Sequence, residues 1–376
     1  MSLMRKIILF VAVIIIALVF INQYKNVSVF IQKNPSVVNS TVDVNEMNGT
    51  PEKVATVAEN LETPWSLAFL PNNDIVFTER NGSLKLISGS NITTIEKISD
   101  VLEYGEGGLM GLAIHPNFSQ NKYLYVMYTY QGEGNNTKNR VIRYKFNNNS
   151  LIERTIIIDN IPGAIYHNGG RIKFGPDGYL YVTTGDSLEP SLAQNTNSLA
   201  GKILRVTDDG RSAPGNPFNN LIYSYGHRNP QGITWDSSER LWETEHGRSS
   251  PSGYDEINVI LAGRNYGWPQ IQGPETRPGM ESPLAQSGDE TWAPGGAVFL
   301  GDSLFYTGLR GKALFELRIE NGNALITKHF LDEFGRIRDV ILGPDNLLYI
   351  TTSNRDGRGT PSTGDDRILK IDPKQL

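Results

Sequence analysis

The 376-residue chain has no cysteine. Disulfides, thiolate metal sites, a cysteine nucleophile and a lipidated cysteine anchor are therefore excluded, and any metal must be held by oxygen or imidazole. Histidine is scarce, at five residues, so each one in a polar loop is a candidate for acid–base chemistry. A basic excess is also missing: 35 Lys and Arg stand against 40 Asp and Glu, a formal net charge of −5. Nucleic acid, held mainly through its phosphates, is not an expected partner.

One long apolar run is present, Ile7 to Ile21 behind Arg5 and Lys6. As a helix it spans roughly 22 Å at about 1.5 Å per residue, against about 30 Å for a bilayer core. A signal peptide is similarly short, but Asn22-Gln23-Tyr24-Lys25 offers no small-x-small cleavage site. Residues 1–24 are thus expected to be an N-terminal transmembrane helix, a single-pass anchor with the remainder extracytoplasmic, secretion after cleavage being the alternative. Residues 25–50 are polar and lack a helical period, as a linker would be. Asn-x-Ser/Thr acceptors at Asn26, Asn39, Asn48, Asn81, Asn91, Asn117, Asn135 and Asn148 suit an exported glycoprotein, although an Asn-rich chain generates such triplets by chance.

Repetition dominates residues 51–376. Six phrases, starting at Ser66, Gly111, Arg171, Gly232, Ala297 and Asp339, each run from an apolar strand through a polar turn into a second apolar strand. Pro-Asp-Gly and Pro-Asn-Asn turns between short apolar runs mark hairpins rather than helices. Their spacing of roughly 40 to 65 residues is about one four-stranded blade each, which predicts an all-β fold, a six-bladed β-propeller. Val76, Phe77, Leu180, Tyr181, Leu348 and Tyr349 are expected between blades.

A propeller gathers one loop from each blade around its axis, and four stretches carry more polar detail than a scaffold needs. In Tyr166-His167-Asn168-Gly169-Gly170, a hairpin's length before Thr184-Gly185-Asp186, Asp186 is placed to bond one ring nitrogen of His167 and leave the other to accept a proton. A structural loop histidine is the alternative. In Gly226-His227-Arg228-Asn229-Pro230-Gln231, Arg228 offers a planar fork of donors and Asn229 both a donor and an acceptor, suiting an oxygen-rich ligand. The stretch from Glu245 through Tyr254-Asp255-Glu256-Ile257-Asn258 to Trp268 holds the hard oxygen ligands that calcium takes, without the spacing of an EF-hand. Arg310, Arg336 and Arg338 form a cationic set; as strand residues two apart, Arg336 and Arg338 are expected to face one anion together.

The phrases GGLMGLAIHPNF, HNGGRIKFGPDG, GHRNPQGI, DEINVILAGRNYGWP and GRIRDVILGPD occur in that order between about Ala55 and Asp372. This stretch resembles the soluble, pyrroloquinoline-quinone-dependent glucose/sorbosone dehydrogenase family, whose aldose sugar dehydrogenases are six-bladed propellers. The resemblance implies oxidation of an aldose at its anomeric carbon to a lactone, with hydride passing to the quinone. It assigns His167 as general base, Asp186 as its orienter and Arg228 as the group stabilising charge beside substrate and quinone. Asn229, Thr291, Arg310, Arg336 and Arg338 match cofactor contacts. Calcium against the quinone is implied at the carbonyls of Gly247 and Arg248, and a second, structural calcium at Glu256 and the carbonyl of Tyr266. Arg248 replaces a proline common in that loop, which a backbone ligand tolerates. Glu106 stands where quinone-binding members carry a glutamine, and a carboxylate there is expected to repel an anionic quinone unless protonated.

The sequence therefore predicts a membrane-tethered quinoprotein aldose dehydrogenase, a monomer or homodimer, feeding electrons to an unidentified acceptor. A propeller of the same fold that binds carbohydrate or protein without catalysis is the first alternative. A calcium-dependent lactonase-like hydrolase is the second, and it requires carboxylates around a central metal where this chain offers arginines.

Overall fold

The structure, a computed structural model, describes residues 54–134, 136–248 and 253–376. The expected membrane helix at 1–24, the linker at 25–50 and the acceptors Asn26, Asn39, Asn48 and Asn135 lie outside the described residues. Among the described residues no helix is long and apolar enough to cross a membrane.

Each of the six repeated phrases supplies the two innermost strands of a blade. The first strands are β2 (Pro64–Phe69), β6 (Leu109–Ile114), β10 (Ile172–Phe174), β14 (Pro230–Trp235), β18 (Pro294–Leu300) and β22 (Ile337–Leu342). Their hairpin partners are β3 (Ile75–Glu79), β7 (Tyr123–Gln131), β11 (Leu180–Thr184), β15 (Leu241–Glu245), β19 (Ser303–Gly308) and β23 (Leu348–Thr352). Two outer strands complete each of six four-stranded sheets. In the last sheet the outermost strand comes from the other end of the domain: β1 (Val54–Ala58) pairs with β24 (Ile368–Ile371), Val54 opposite Ile371. The inner strands touch their neighbours in cyclic order, β22 returning to β2, so the ring is closed.

The second strands are covered on both faces, and every residue of β3, β11, β15, β19 and β23 is buried. That is why these phrases read as continuous apolar runs rather than strict alternation. Val76, Phe77, Leu180, Tyr181, Leu348 and Tyr349 are all buried, as the repeat predicts. One apolar cluster fills each junction between neighbouring blades. Each large side chain fully buried there contributes roughly 1.5–3 kcal/mol. Hydroxyls staple the inner hairpins together: Thr78 Oγ1 donates to the Met110 carbonyl at 2.6 Å, Thr244 to Gly295 at 2.8 Å and Thr307 to Arg338 at 3.1 Å.

Five of the six inner strands start with an irregularity in register, at Pro64/Ser66, Leu109/Leu112, Pro230/Gly232, Pro294/Ala297 and Ile337/Asp339. A bulge turns the extra residue out of the pleat and re-aims its side chain. Trp65, Gln231 and Arg338 are such residues, and all three line the cavity described next. Because successive strands alternate in direction, the loop entering each first strand and the loop leaving each second strand open on the same face of the ring.

Candidate active site

On that face lies a cavity of about 490 Å³, within the usual range of small-ligand sites. Its wall carries six arginines (Arg228, Arg248, Arg310, Arg336, Arg338 and Arg358) and Lys312 against two carboxylates, Glu106 and Asp255.

His167 is held from behind and below. Its Nδ1 lies 2.7 Å from Asp186 Oδ1. Asp186 is fully buried and accepts Leu188 N–H at 2.9 Å and Trp268 Nε1–H at 2.8 Å. A carboxylate that accepts from every side leaves the shared proton on Nδ1, so the lone pair sits on Nε2. The His167 backbone is left-handed, φ 60°, a conformation that disfavours a branched or bulky residue unless its surroundings enforce it. Ser187 N–H donates to the His167 carbonyl at 3.2 Å, and His167 N–H donates to Glu106 Oε2 at 3.2 Å. A Cβ on Gly185 would come within 2.0 Å of the His167 carbonyl oxygen, so the approach that positions Asp186 requires glycine.

The arginines differ in how far they are committed. Arg336 gives Nε and Nη2 to Asp356 Oδ2, at 2.9 and 2.7 Å, and Nη1 to the Leu309 carbonyl. Arg338 gives Nη1 to Gln231 Oε1 at 2.9 Å and lies over Trp65, while its buried Nε has no partner. Burial pulls the Arg338 guanidinium down to about 9, Asp356 opposing and Arg336 adding to the fall, so it stays charged at neutral pH. Arg228 donates Nη1 to the His246 carbonyl at 3.1 Å, and its backbone N–H donates to Glu245; its Nε is likewise buried without a partner. Burial lowers its pKa, resisted by Asp186 and Glu245. Arg310 is exposed at the cavity wall. The guanidiniums of Arg228, Arg310 and Arg338 in the wall give the cavity the positive charge an anionic ligand would meet.

Of the two carboxylates, Asp255 is consumed by the backbone: it accepts Gly247 N–H at 2.9 Å, Trp292 N–H at 2.6 Å and Ala293 N–H at 2.8 Å. Glu106 is different. Burial opposes its charge, yet His246 and the Arg358 guanidinium, 2.6 Å from Oε1, hold it down to about 2. His246 is itself pushed by burial to about 3, and its Nε2 donates to the Pro294 carbonyl at 2.9 Å, so it is neutral above that pH. Arg358 is therefore the persistent counter-charge. Glu106 thus has a cationic partner within the protein, a second route besides protonation to offset its charge beside an anion.

His167, Arg228, Thr291, Arg310, Arg336, Arg338, Gly247, Arg248 and Glu106 all line the cavity. Asp186 stands behind His167. Asn229 is fully buried just behind the wall, its Oδ1 accepting Gly169 N–H at 3.0 Å and Gln231 Nε2 at 3.2 Å. It shapes the wall from behind. Arg336 and Arg338 do converge, though through the bulge at Ile337/Asp339 and not by regular alternation. Sequence reasoning missed Trp65, Gln231 and Arg358. The first two emerge at bulges, where the period of two fails; the signal for Arg358 was Glu106 itself, an acidic residue in a basic site in need of a partner.

Glu256 and Tyr266 lie away from this cavity, in the fourth blade and the loop that follows β16 (Glu256–Ile260). Glu243, Glu245 and Glu256 are buried together, with Glu245 Oε2 2.9 Å from His227 Nδ1 and Asn258 Nδ2 donating to Glu243 at 3.0 Å. His227, Glu243 and Glu245 bring ligand atoms within 4.8 Å of one another. Glu243 Oε1, Asn258 Oδ1 and Gln272 Oε1 are buried without donors. Burial, reinforced by Glu245, pushes the Glu256 carboxyl up to about 8, and burial with Glu245 raises Glu243 too.

The glucose/sorbosone dehydrogenase family profile matches residues 61–362. The aldose sugar dehydrogenase YliI of Escherichia coli is 30% identical over 356 residues, covering 85% of this chain and 93% of that protein. Quinoprotein glucose dehydrogenase B of Acinetobacter calcoaceticus is 32% identical over 252 residues, 58% of this chain and 52% of that one. The PQQ-bound aldose sugar dehydrogenase of Streptomyces coelicolor superposes with a TM-score of 0.79 at 36% identity, covering 86% of this chain and 99% of that one.

Proposed function

The chain belongs to the glucose/sorbosone dehydrogenase family of oxidoreductases, and on that premise we propose that it oxidises aldoses at the anomeric carbon to lactones using pyrroloquinoline quinone. The observation that carries this reading is the His167–Asp186 pair in the wall of an arginine-lined cavity. The quinone, when bound, supplies the two-electron acceptor for the hydride that leaves C1. Its carboxylates would suit the positive charge of Arg228, Arg338 and the exposed Arg310 in the cavity wall, with Thr291 beside them.

His167 Nε2 takes the proton of the anomeric hydroxyl, and Asp186 steadies the imidazolium that results. Arg228 stands by as a fixed positive charge for the oxygen losing that proton. His246, neutral, leaves the local charge to the arginines. A calcium ion suits the carbonyls of Gly247 and Arg248, which no donor among the described residues reaches, and a second suits the oxygen-rich cluster at Glu243, Glu256 and Asn258 beside Tyr266. The apolar run behind Arg5 and Lys6 supports anchoring by residues 1–24 with the propeller outside the cell; fractionation of the full chain, before and after alkaline extraction, tests it.

The deciding experiment is titration of the domain from about Thr50 onward with the quinone and calcium, while dye reduction is followed across a panel of aldoses. Saturable, calcium-dependent turnover that vanishes in His167→Ala supports the enzyme and its base together. Failure to take up the quinone would instead favour a propeller that binds carbohydrate or protein without turnover.

A further inference from the structure

Glu106 is the one cavity carboxylate that backbone N–H groups do not saturate. Its loop is clasped to the loop of the base: Glu106 N–H donates to the Ile165 carbonyl at 2.8 Å, and Glu106 Oε2 accepts His167 N–H. Gly105, at φ 60°, permits that clasp, since a Cβ there would come within 2.0 Å of the Ile165 carbonyl oxygen. From the loop that leaves β23 in the last blade, 252 residues away in sequence, Arg358 closes on Oε1 at 2.6 Å. The guanidinium also lies over the Tyr166 ring, 5.0 Å from its centroid. Asp356 Oδ1 accepts the Arg358 backbone N–H at 2.9 Å while its Oδ2 holds Arg336. One short loop thus orders a wall arginine and delivers the counter-charge to Glu106.

We propose that Arg358 is a charge-compensating positioning residue: by neutralising Glu106 it lets a cavity that contains a half-buried carboxylate accept a polycarboxylate ligand, while Glu106 stays in place to hold the backbone of His167. The inference rests on the quinone reading for the identity of that ligand but not for the electrostatics. An unpaired carboxylate in the cavity wall repels an anionic guest, whereas an ion pair presents close to no net charge. Removing Arg358 is therefore harmful only while Glu106 is ionised.

The test is a double-mutant cycle on the folded propeller domain, read as equilibrium binding of pyrroloquinoline quinone by fluorescence quenching and, separately, of citrate by calorimetry. Arg358→Met weakens binding on the order of tenfold to a hundredfold. Glu106→Gln alone binds as tightly as the parent or tighter, and Glu106→Gln with Arg358→Met returns to within about threefold of it. Arg358→Lys, which keeps the charge, retains most of the affinity. Equal losses from Arg358→Met in both backgrounds would mean that Arg358 contacts the ligand directly, and no loss with Glu106 present would mean that the carboxylate needs no compensation; either overturns the proposal. Citrate binding that follows the cycle without any uptake of quinone keeps the compensation and removes the quinone reading. Binding of neither ligand to the parent protein removes both.

Discussion

Two regions of this propeller gather ionisable groups of opposite type. At the axial mouth, arginines crowd a cavity with two carboxylates, and buried guanidinium nitrogens of Arg228 and Arg338 lack acceptors. In the fourth blade, Glu243, Glu245 and Glu256 crowd together, and oxygens of Glu243, Asn258 and Gln272 lack donors. A desolvated charge is tolerated when a counter-charge and hydrogen bonds meet it. Each cluster is one partner short by that rule, and each is short of the opposite partner: an anion at the mouth, a cation in the blade. The difference separates a cavity open to solvent from a cluster sealed in a blade.

The comparison can be broken in several ways. The largest expected effect is on His167, the proposed base, which on that reading contributes chemistry and no charge to the cradle. His167→Ala lowers turnover on the order of a hundredfold to ten-thousandfold while quinone affinity stays within about threefold. A matching loss of affinity, measured by quenching, would place His167 in the cradle. Next, Arg338→Met lowers quinone affinity on the order of tenfold to a hundredfold, because a desolvated donor is lost and the Gln231 oxygen it held is stranded. Stability of the parent and variant is compared by thermal melting so that a folding defect is recognised.

The carboxylate cluster is tested through pH. Without a metal ion, folded Glu256 keeps a proton up to about 8 that the unfolded chain releases near 4.5. The folded state then binds more protons across that window, so stability falls as pH rises from about 4.5 to about 8. Calcium, taking the proton's place, reverses the slope. Melting temperatures at pH 5 and pH 8, in chelator and in calcium, measure this; a flat profile in chelator would show that the cluster is compensated within the protein. The smallest effect belongs to Arg310, exposed and screened: Arg310→Met changes quinone affinity by about threefold or less, and that change shrinks with added salt.

How much of this was legible in the sequence follows the same physical divide. The hairpin phrases were readable because turn chemistry and apolar runs are local, and all six coincide with inner hairpins. His167 and Asp186 were readable as a pair because one hairpin separates them. Asn229 shows the limit of local reading: its neighbours Arg228 and Gln231 reach the cavity wall, while its own side chain turns back to Gly169. Arg358 sits in Asn354-Arg355-Asp356-Gly357-Arg358-Gly359, which reads as a solvated turn. Trp65 is an aromatic at the head of an apolar strand and reads as core.

The sequence by itself determined the number of blades, their order and the residue types at the mouth, since strand pairing within a hairpin and the aqueous tolerance of a turn depend on neighbours a few positions away. Only the tertiary structure decided which arginines are spent and which are open, that Glu106 is paired by a residue 252 positions distant, and that β1 closes the last blade. Those outcomes depend on ring closure, which brings together loops that no local preference connects, and on desolvation, which gives a charge its energetic weight only once its neighbours in space are known.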